Sequence, residues 1–513
     1  MSVGNFKMQK RTGMLSLLSW LILTGCGSSP VFQAALQPAP ATRQALQTNT
    51  SAAAPLTRAS APVTVNSKPP VSTARAPRAS SVQATAGKAT TASVQATQTP
   101  AVHIAKNYNT QTLLVGLHKD ADLPQAKALA AQLNLQVERY IKGIHALVLK
   151  TSGQEVKGLV KQLSQHSLFA FVETDHISTQ KPEAEKEVND SFKLFSADLV
   201  NDKYFKDQYG LTALQVPEAW SYSKGAGVTI AVIDTGVALS HADLKGRVIP
   251  GYDALSLHEG GESGDVSSLN YLFSSYKHGS HVAGIIAAET NNGHGIAGVA
   301  PEAKIMPIKI YPDVPDIISS ILAPDPDSNQ TMISVIADGI VWAADHGANV
   351  INLSLAVTEY SATLERAVKY ALDKNVSVVV AAGNERQSTN ARNYLAAIEG
   401  VIGVGATDIN NNITIFSNSG DYVSVAAPGN NIISSVPSFL RMRPYVEMSG
   451  TSMAAPHVAG VAALLRSKYG ASATPAWIKQ RLEATATDRG AAGRDDLFGH
   501  GLVNALKALT DPV

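Results

Sequence analysis

Four polar residues, each next to an apolar segment, have the side chains that acyl transfer needs. Asp234 follows the run VTIAVI, Asn384 follows VVVAAG, and His278 and Ser452 each begin an Ala-rich segment. A hydroxyl can attack a carbonyl carbon, an imidazole can move its proton, a carboxylate can orient the imidazole, and an amide can donate to the oxyanion. The set therefore indicates a serine hydrolase, although each residue alone is typical of a turn or a helix cap.

Two shorter patterns allow other chemistry. The triplet Asp234-Thr235-Gly236 is also found in aspartic proteases, which pair two such loops so that two carboxylates share one proton. No second triplet of this kind occurs in the chain, so this alternative requires a homodimer. His278 and His281 are three residues apart, but no Glu or third His stands at a supporting spacing for a metal. His281 is instead expected to be a packed, hydrogen-bonded residue.

The apolar segments that position these residues predict an α/β domain, a parallel β-sheet with helices on both faces. Strand patterns lie at 228–233, 304–310, 349–355, 376–382 and 401–406, and helical patterns lie at 278–289, 331–346, 360–374, 452–467 and 474–484. Near-continuous apolar strands that alternate with helices are typical of such sheets. Ligand sites form outside the carboxyl ends of the strands, which is where Asp234 and Asn384 stand.

A smaller unit with a different order of elements precedes this sheet. The apolar spacing between about 110 and 178 predicts the order β-α-β-β-α-β, the split ferredoxin-like arrangement of a small α+β domain. This arrangement alone assigns no function.

The N-terminal region has the composition of an export signal followed by a tether. Three basic residues precede an apolar run over 14–23, which ends in LTGC with Cys26 as the only cysteine of the chain. The run is too short to span a bilayer and suits a signal peptide over 1–25. Residues 27–105 contain one aromatic residue and no acid, so they cannot offset the entropy cost of folding. We therefore expect a disordered tether over 26–105.

The distribution of charge argues against a nucleic-acid partner. Residues 1–119 contain eleven Lys or Arg and no Asp or Glu, whereas the remaining residues have 31 basic and 41 acidic side chains, a net charge of −10. An acidic folded region repels a polyanion. The single cysteine also excludes a disulfide within the chain.

Four sequence segments carry a resemblance to a known family. AVIDTGV, HGSHVAG, AAGN and GTSMAAPHVAG occur in this order and resemble the motifs of the subtilisin-like serine peptidases, and NDKYFKDQYGL resembles the mature start of the thermitase branch. The resemblance covers about 202–508 and implies an endopeptidase with an acyl-enzyme intermediate. It implies that Asp234 orients His278, that His278 is general base and later acid, that Ser452 is the nucleophile, and that Asn384 donates to the oxyanion.

The same resemblance gives the smaller unit a role. The segment FAFVETDHIS at 169–178 resembles the end of the subtilase inhibitory propeptide. This implies an intramolecular inhibitor over 106–180, a processing linker over 181–201 and a catalytic domain over 202–513. Cleavage is expected within 179–201.

The LTGC segment resembles the bacterial lipobox, in which the cysteine is lipidated and becomes the first residue of the exported protein. The resemblance implies attachment to a membrane of a bacterial envelope through Cys26. Because the lipid is then on the propeptide side of the processing site, we expect processing to release the catalytic domain to the periplasm or the exterior.

Structural calcium is the cofactor that the resemblance implies, and no organic cofactor is expected. Asp202, Asp243 and Asn292 match the side-chain ligands of the strong thermitase-like site, and the loop TNNGHGI at 290–296 matches the segment that supplies backbone carbonyls. Oxygen ligands of this kind are those that Ca²⁺ prefers. The complete expected set is Asp202, Asp243, Asn292, Glu289, His294 and Ile296.

Substrate is expected to bind along Ser354, Leu355 and Ala356, with Gly383 beside them. SLAV at 354–357 stands where the family has Ser-Leu-Gly-Gly. Side chains in place of both glycines are expected to crowd the pocket for the residue before the scissile bond and to disfavour large aromatic residues there.

The segment 311–330 contains four Asp and no basic residue, and looks like an insertion beside the cleft. We expect a solvated surface loop. The alternative is a negative rim that favours cationic substrates.

The sequence as a whole favours a serine endopeptidase that is made as a self-inhibited zymogen, with protein or peptide substrates and a monomeric catalytic domain. The alternative is a catalytically inactive surface lipoprotein that uses the same fold for binding. All four catalytic positions are filled, which favours the enzyme. A fluorophosphonate probe, which labels only an active serine, distinguishes the two.

Overall fold

The computed structural model describes residues 99–179, 184–187, 200–260, 277–312, 330–437 and 444–512. The expected signal peptide, Cys26, most of the tether, most of the linker and most of the acidic segment 311–330 lie outside these ranges. The last residues of the expected tether lie within them, and Ala101–His103 form a strand that pairs with Phe171–Glu173. The prediction of a disordered tether up to residue 105 is therefore wrong at its end, because a distant strand supplies the hydrogen bonds there. None of the helices within them combines the length and the apolar character of a membrane span.

The first described region is a small α+β domain. Its strands are β1 (Ala101–His103), β2 (Tyr108–Leu117), β3 (Gln136–Ile141), β4 (Ala146–Lys150) and β5 (Phe169–Thr179), and its helices are α1 (Leu123–Gln132) and α2 (Val156–Leu163). The strand order is β1-β5-β2-β4-β3, and all neighbours except β1 and β5 are antiparallel. Apart from β1, this is the expected β-α-β-β-α-β unit.

The remaining strands belong to a larger domain, apart from the short β6 that connects the two. They are β6 (Ala184–Glu187), β7 (Thr229–Asp234), β8 (Gly251–Asp253), β9 (His258–Gly260), β10 (Lys304–Lys309), β11 (Gln330–Met332), β12 (Val350–Leu353), β13 (Ser377–Ala381), β14 (Ile402–Thr407), β15 (Val423–Pro428), β16 (Ile432–Ser435) and β17 (Tyr445–Ser449). The helices are α3 (Tyr209–Ala213), α4 (Val216–Ala219), α5 (His278–Ala287), α6 (Ile333–Asp345), α7 (Ala362–Asp373), α8 (Thr451–Tyr469), α9 (Pro475–Thr485) and α10 (Ala505–Thr510).

The main sheet has the order β15-β14-β13-β12-β7-β10-β8-β9, and all its neighbours are parallel except β8 and β9. Alternate residues of β7 point into two separate cores: Ile230 and Val232 into one, Ala231 and Ile233 into the other. Helices α5 and α8 contribute to the first core, and α6 and α7 to the second. A strand that is buried on both faces must be apolar throughout, which confirms the predicted fold.

Two short strands join the domains. Strand β11 pairs antiparallel with the end of β5, and β6 is the third strand of an antiparallel sheet with the order β16-β17-β6. The segments on both sides of residues 180–183, the end of β5 and β6, thus pair with strands of the larger domain.

Candidate active site

Asp234 and His278 form a buried hydrogen-bonded pair at the carboxyl edge of the main sheet. Asp234 ends β7 and is 2 % exposed, and His278 begins α5 and is 5 % exposed. His278 Nδ1 lies 2.8 Å from Asp234 Oδ1 and 2.9 Å from Oδ2. A carboxylate only accepts, so Nδ1 carries the proton, and Nε2 of the neutral ring is the nitrogen that can take one up.

The turn after β7 and the start of α5 are held together through Thr235. Thr235 Oγ1 accepts from the backbone N–H of Gly279 at 3.0 Å, and the N–H of Thr235 donates to Asp234 Oδ1 at 2.7 Å. A Cβ on Gly279 would lie 2.2 Å from the carbonyl oxygen of Gly236. His278 can therefore approach the Asp234 carboxylate because the next residue, Gly279, has no side chain.

Ser452 lies in the first turn of α8 and is held against the end of β12. Its carbonyl oxygen accepts from Ser354 Oγ at 2.9 Å, and Ser354 Oγ accepts from Asn352 Nδ2 at 3.0 Å. Ser452 Oγ lies 3.3 Å from the carbonyl oxygen of Ser354. Because β12 and β7 are parallel neighbours, these bonds place Ser452 at the same edge of the sheet as Asp234.

Asn384 follows β13, the neighbour of β12 on the side away from β7. Its Oδ1 accepts from the backbone N–H of Thr451 at 2.8 Å and from Thr451 Oγ1 at 2.9 Å. Both bonds use the amide oxygen, so they set the plane of the side chain and the direction of its Nδ2. Asn384 and Ser452 line one small cavity.

The glycine before Asn384 is required by the same turn. Gly383 has φ +110°, and a Cβ on it would lie 2.4 Å from Asn418 Nδ2. Its N–H donates to Thr451 Oγ1 at 3.1 Å. Thr451 therefore positions both residues at the end of β13.

The end of β5 lines the cavity beside Ser452. Thr179 lines this cavity, Ile177–Thr179 pair with β11, and Ser178 Oγ donates to the carbonyl oxygen of Ala356 at 3.1 Å. Strand β5 therefore runs between β11 and the 354–356 segment, which is where the sequence predicts the substrate backbone.

The family comparisons cover both domains. Residues 225–501, more than half of the chain, match the subtilase family, and residues 94–175 match the fervidolysin N-terminal prodomain. The chain belongs to the subtilase family. It is 41 % identical to thermitase of Thermoactinomyces vulgaris over 310 residues, which are 60 % of this subtilase and 98 % of thermitase. It is 40 % identical to a thermophilic serine proteinase of Bacillus sp. (strain AK1) over 358 residues, 69 % of this chain and 76 % of that protein.

A solved structure matches most of the chain. The crystal structure of fervidolysin from Fervidobacterium pennivorans matches with a TM-score of 0.69 and 32 % identity, over 82 % of this subtilase and 64 % of fervidolysin. This chain therefore spans less than two thirds of the length of the fervidolysin structure. The shared parts make the chain a serine endopeptidase with a prodomain, which implies a zymogen.

The family match and the contacts of Asp234 and His281 decide between the alternative roles that the sequence allowed for these residues. The aspartic-protease interpretation is wrong, because the chain is a subtilase and the Asp234 carboxylate contacts His278. His281 is fully buried, and its Nε2 lies 3.1 Å from the carbonyl oxygen of Val446. Burial lowers the pKa of His281 to about 3, so it is a packed neutral residue, as expected.

Two acids of the prodomain that were not predicted as functional residues contact the larger domain. Glu173 accepts from the N–H groups of Ala362 and Thr363 at 2.9 and 3.1 Å, and Asp175 accepts from Ser334 N at 3.1 Å. These amides belong to the N-termini of α7 and α6, where negative charge is favoured. One feature of the sequence could have revealed them. The two acids are two residues apart in an apolar strand, so they lie on the same face of it.

Burial changes the protonation of both acids. It raises the pKa of Glu173, and it raises that of Asp175 to about 6 even though Ser334 and Thr112 donate hydrogen bonds to the carboxylate. The interface also contains an ion pair between prodomain Arg139 and Asp338 of α6, with Nη1 and Oδ2 3.1 Å apart. The prodomain is thus held by polar contacts with α6 and α7 as well as by strand pairing.

Three residues of the expected calcium set are together in the structure. Asn292 Nδ2 donates to Asp243 Oδ1 at 2.9 Å, and Asp202 Oδ1 accepts from the N–H of Asn292 at 3.1 Å. Asp202 and Asp243 are buried, and burial, with a smaller contribution from the Asp243 charge, raises the pKa of Asp202. Two buried carboxylates and the Asn292 amide are the kinds of oxygen donor that suit Ca²⁺, although this amide directs Nδ2 to Asp243 in the structure.

The other three members of the set have different positions. The N–H of Ile296 donates to Asp243 Oδ2 at 2.9 Å, and that of His294 donates to Asn292 Oδ1 at 2.8 Å, so the loop wraps around the set. The Glu289 side chain does not join it: its Oε1 lies 3.7 Å from Arg247 Nη2, and only its N–H contacts Asp243. Glu289 lies two residues after the end of α5, and its partly exposed carboxylate faces Arg247 instead of Asp243.

The four expected substrate-binding residues Ser354, Leu355, Ala356 and Gly383 line the cavity beside Ser452. Val357 does not line it and packs into the second core instead. The expectation that side chains at both glycine positions crowd the cavity is therefore wrong for Val357. Successive residues of an extended segment point to opposite sides, so only Ala356 adds a side chain there.

Proposed function

We propose that this subtilase hydrolyses peptide bonds through an acyl-enzyme intermediate, with Asp234, His278 and Ser452 as its catalytic triad and Asn384 as an oxyanion donor. The observation that carries this proposal is the hydrogen bond from His278 Nδ1 to the Asp234 carboxylate, at the sheet edge where Ser452 is held. Both the base and the group that orients it are buried, which strengthens their interaction.

The reaction follows from these positions. His278 Nε2 takes the proton of Ser452 Oγ as the oxygen attacks the carbonyl carbon, and Asp234 stays ionised and stabilises the imidazolium. Asn384 Nδ2 and the N–H of Ser452 donate to the oxyanion. His278 then protonates the leaving amine. A water molecule, deprotonated by the same ring, releases the acyl group.

The position of the prodomain beside Ser452 supports the proposal that the zymogen inhibits itself. Thr179 lines the cavity beside Ser452, and Ala184 pairs with Ser449, three residues before the serine. We infer that the processing bond lies between residues 179 and 184, within the expected 179–201. Until that bond breaks, β5 excludes other peptides from the cleft.

We further propose that the chain is exported and attached to a bacterial membrane by a lipid on Cys26, and that processing releases the catalytic domain. The support is the order of the segments: signal peptide, LTGC, tether, prodomain and catalytic domain. The linkage between lipid and catalytic domain passes through the bond that the triad cleaves.

Calcium is proposed as a structural ion. Asp202, Asp243 and Asn292 would hold it, with backbone carbonyls of the His294–Ile296 loop. When bound, Ca²⁺ supplies positive charge between two carboxylates and links three loops that are distant in sequence. It takes no part in the proton transfers.

The proposed residue preference concerns the cavity and the acidic segment. Ala356 reduces the space beside Ser452, so we propose that small residues before the scissile bond are preferred to large aromatic ones. Most of 311–330 lies outside the described residues, and the cation-selective rim stays a prediction.

A fluorophosphonate probe tests the triad. The full-length wild-type chain should process itself and take up the probe, whereas Ser452→Ala and His278→Ala should do neither. Ser467→Ala, on the same helix α8, is the matched control and should behave as wild type. Equal labelling of Ser452→Ala and wild type would exclude Ser452 as the nucleophile, and a folded wild-type chain without labelling would favour the inactive binding protein.

A further inference from the structure

We propose that Glu447 selects a basic residue in the polypeptide that follows the scissile bond, where this polypeptide docks on β17 as an added strand. The inference rests on the proposed function, because the reaction that it concerns is the chain's own processing. It adds a specificity-determining residue on the leaving-group side of the site.

The backbone pairing defines the docking strand. Four residues of β6 pair antiparallel with β17, from Ala184 opposite Ser449 to Glu187 opposite Val446. The other edge of β17 pairs with β16, so β6 adds a third strand to a two-stranded sheet. Adding an extended segment to a sheet edge is a general mode of peptide recognition, with main-chain hydrogen bonds that do not depend on sequence.

The position of β17 makes this edge the leaving-group side. Strand β17 ends at Ser449 and the chain continues directly into α8, which contains Ser452. On the opposite side of Ser452, Thr179 lines the cavity and β5 pairs with β11. A polypeptide bound across the serine therefore uses β11 and the 354–356 segment before the scissile bond and β17 after it.

One side-chain pair gives this edge a charge preference. Lys186 and Glu447 are directly opposite each other, and Lys186 Nζ lies 3.3 Å from Glu447 Oε2. With β6 in place the Glu447 side chain is 22 % exposed and the Lys186 side chain is 66 % exposed, so only the carboxylate of the pair is partly removed from water. Opposite charges across two strands stabilise the pairing and like charges weaken it. Strand β17 therefore favours a Lys or Arg in the position of Lys186.

A charge swap within the full-length chain tests the inference. Each variant is refolded from denaturant, and the first-order rate of processing is followed by electrophoresis, with N-terminal sequencing of the product. Lys186→Glu and Glu447→Lys should each slow processing by about fivefold, and the double variant should return to within about twofold of wild type. Arg494→Glu, which reverses one charge of another exposed ion pair, should process at the wild-type rate.

Wild-type rates in both single variants would overturn the inference, as would a double variant slower than either single one. A wild-type chain that does not process contradicts the proposed function instead. In that case hydrogen exchange in the Ser452→Ala background decides the inference separately. Amides of β17 that face β6 should exchange faster in Lys186→Glu and return to their original protection in the charge swap, and unchanged protection in both variants would overturn it.

Discussion

The orientation of Asn384 depends on Thr451, a residue of another element. Thr451 donates to the amide oxygen from both its backbone and its hydroxyl group, and the proposed oxyanion donor, Nδ2, takes its direction from these bonds. The apolar pattern of the sequence predicts that Asn384 follows a strand, but it does not predict that Thr451 is its partner. The donor is therefore set in place before substrate arrives, which is the condition for effective electrostatic stabilisation.

Replacing this donor should affect the chemical step. Asn384→Ala should lower kcat by about 10²–10³-fold with little change in KM, the range found when such a donor is removed from a related subtilisin. Steady-state kinetics on a fluorogenic peptide measure it, with the exposed Asn410→Ala as control. A loss confined to KM would contradict the assigned role.

His176 is a buried residue whose charge the folded zymogen disfavours. It lies on β5, is 4 % exposed, and neither ring nitrogen has a hydrogen-bond partner in the described part of the chain. Burial lowers its pKa to about 4 from 6.5. Because the folded pKa is the lower one, the neutral ring contributes stability that is lost as the pH falls from about 6.5 towards 4.

The pH dependence of zymogen stability should therefore change when this imidazole is removed. In the uncleaved Ser452→Ala chain, the free energy of unfolding should fall between pH 7 and pH 4 by up to about 3 kcal/mol more than in the same chain with His176→Gln. Denaturant titrations at each pH measure it, with the exposed His118→Gln as control. Parallel pH profiles for the two chains would show that His176 does not titrate across folding.

At the scale of elements, the long apolar segments could be predicted and the short strands could not. The prediction of strands at 228–233 and 376–382 is confirmed by β7 and β13 to within a residue or two, because both are buried on two faces and apolar throughout. Strands β6, β11 and β17 have no such pattern. Each is a strand because a distant segment supplies its hydrogen bonds, so local sequence cannot reveal it.

The proposed calcium ion belongs to this scale, since it would connect the segment at Asp202, the loop with Asp243 and the 290–296 loop. Chelation should lower the melting temperature of the processed enzyme by about 10 °C, the effect of an ion bound well above its Kd. Calorimetry with and without a chelator measures it. Asp243→Asn should remove most of the difference and the exposed Asp421→Asn should keep it, whereas a wild-type melting temperature unaffected by chelation would rule out the ion.

At the scale of the whole molecule, the order of domains couples activation to location. The lipid proposed on Cys26 and the catalytic domain lie on opposite sides of the proposed processing bond. A single cleavage would then both break the covalent connection to the membrane and allow β5 to leave the cleft.

Fractionation of cells tests this coupling. The wild-type catalytic domain should be found mostly in the soluble fraction, whereas that of Ser452→Ala should stay with the membrane as part of the full chain. The double variant Cys26→Ser/Ser452→Ala should be soluble although uncleaved, because it has no lipid. Equal membrane retention of the wild-type and Ser452→Ala catalytic domains would contradict release by processing.

The sequence alone determined the fold class, the family resemblance and the proposed triad with Asn384, because continuous apolar runs and contiguous motifs report on local environment. Only the tertiary structure decided that Glu173 and Asp175 contact two helix N-termini, that Val357 packs into the core while Ala356 lines the cavity, and that Glu289 turns to Arg247. It also decided that Lys186 lies opposite Glu447. These outcomes depend on which distant segments become neighbours, and that is settled when the two domains and their connecting strands pack together.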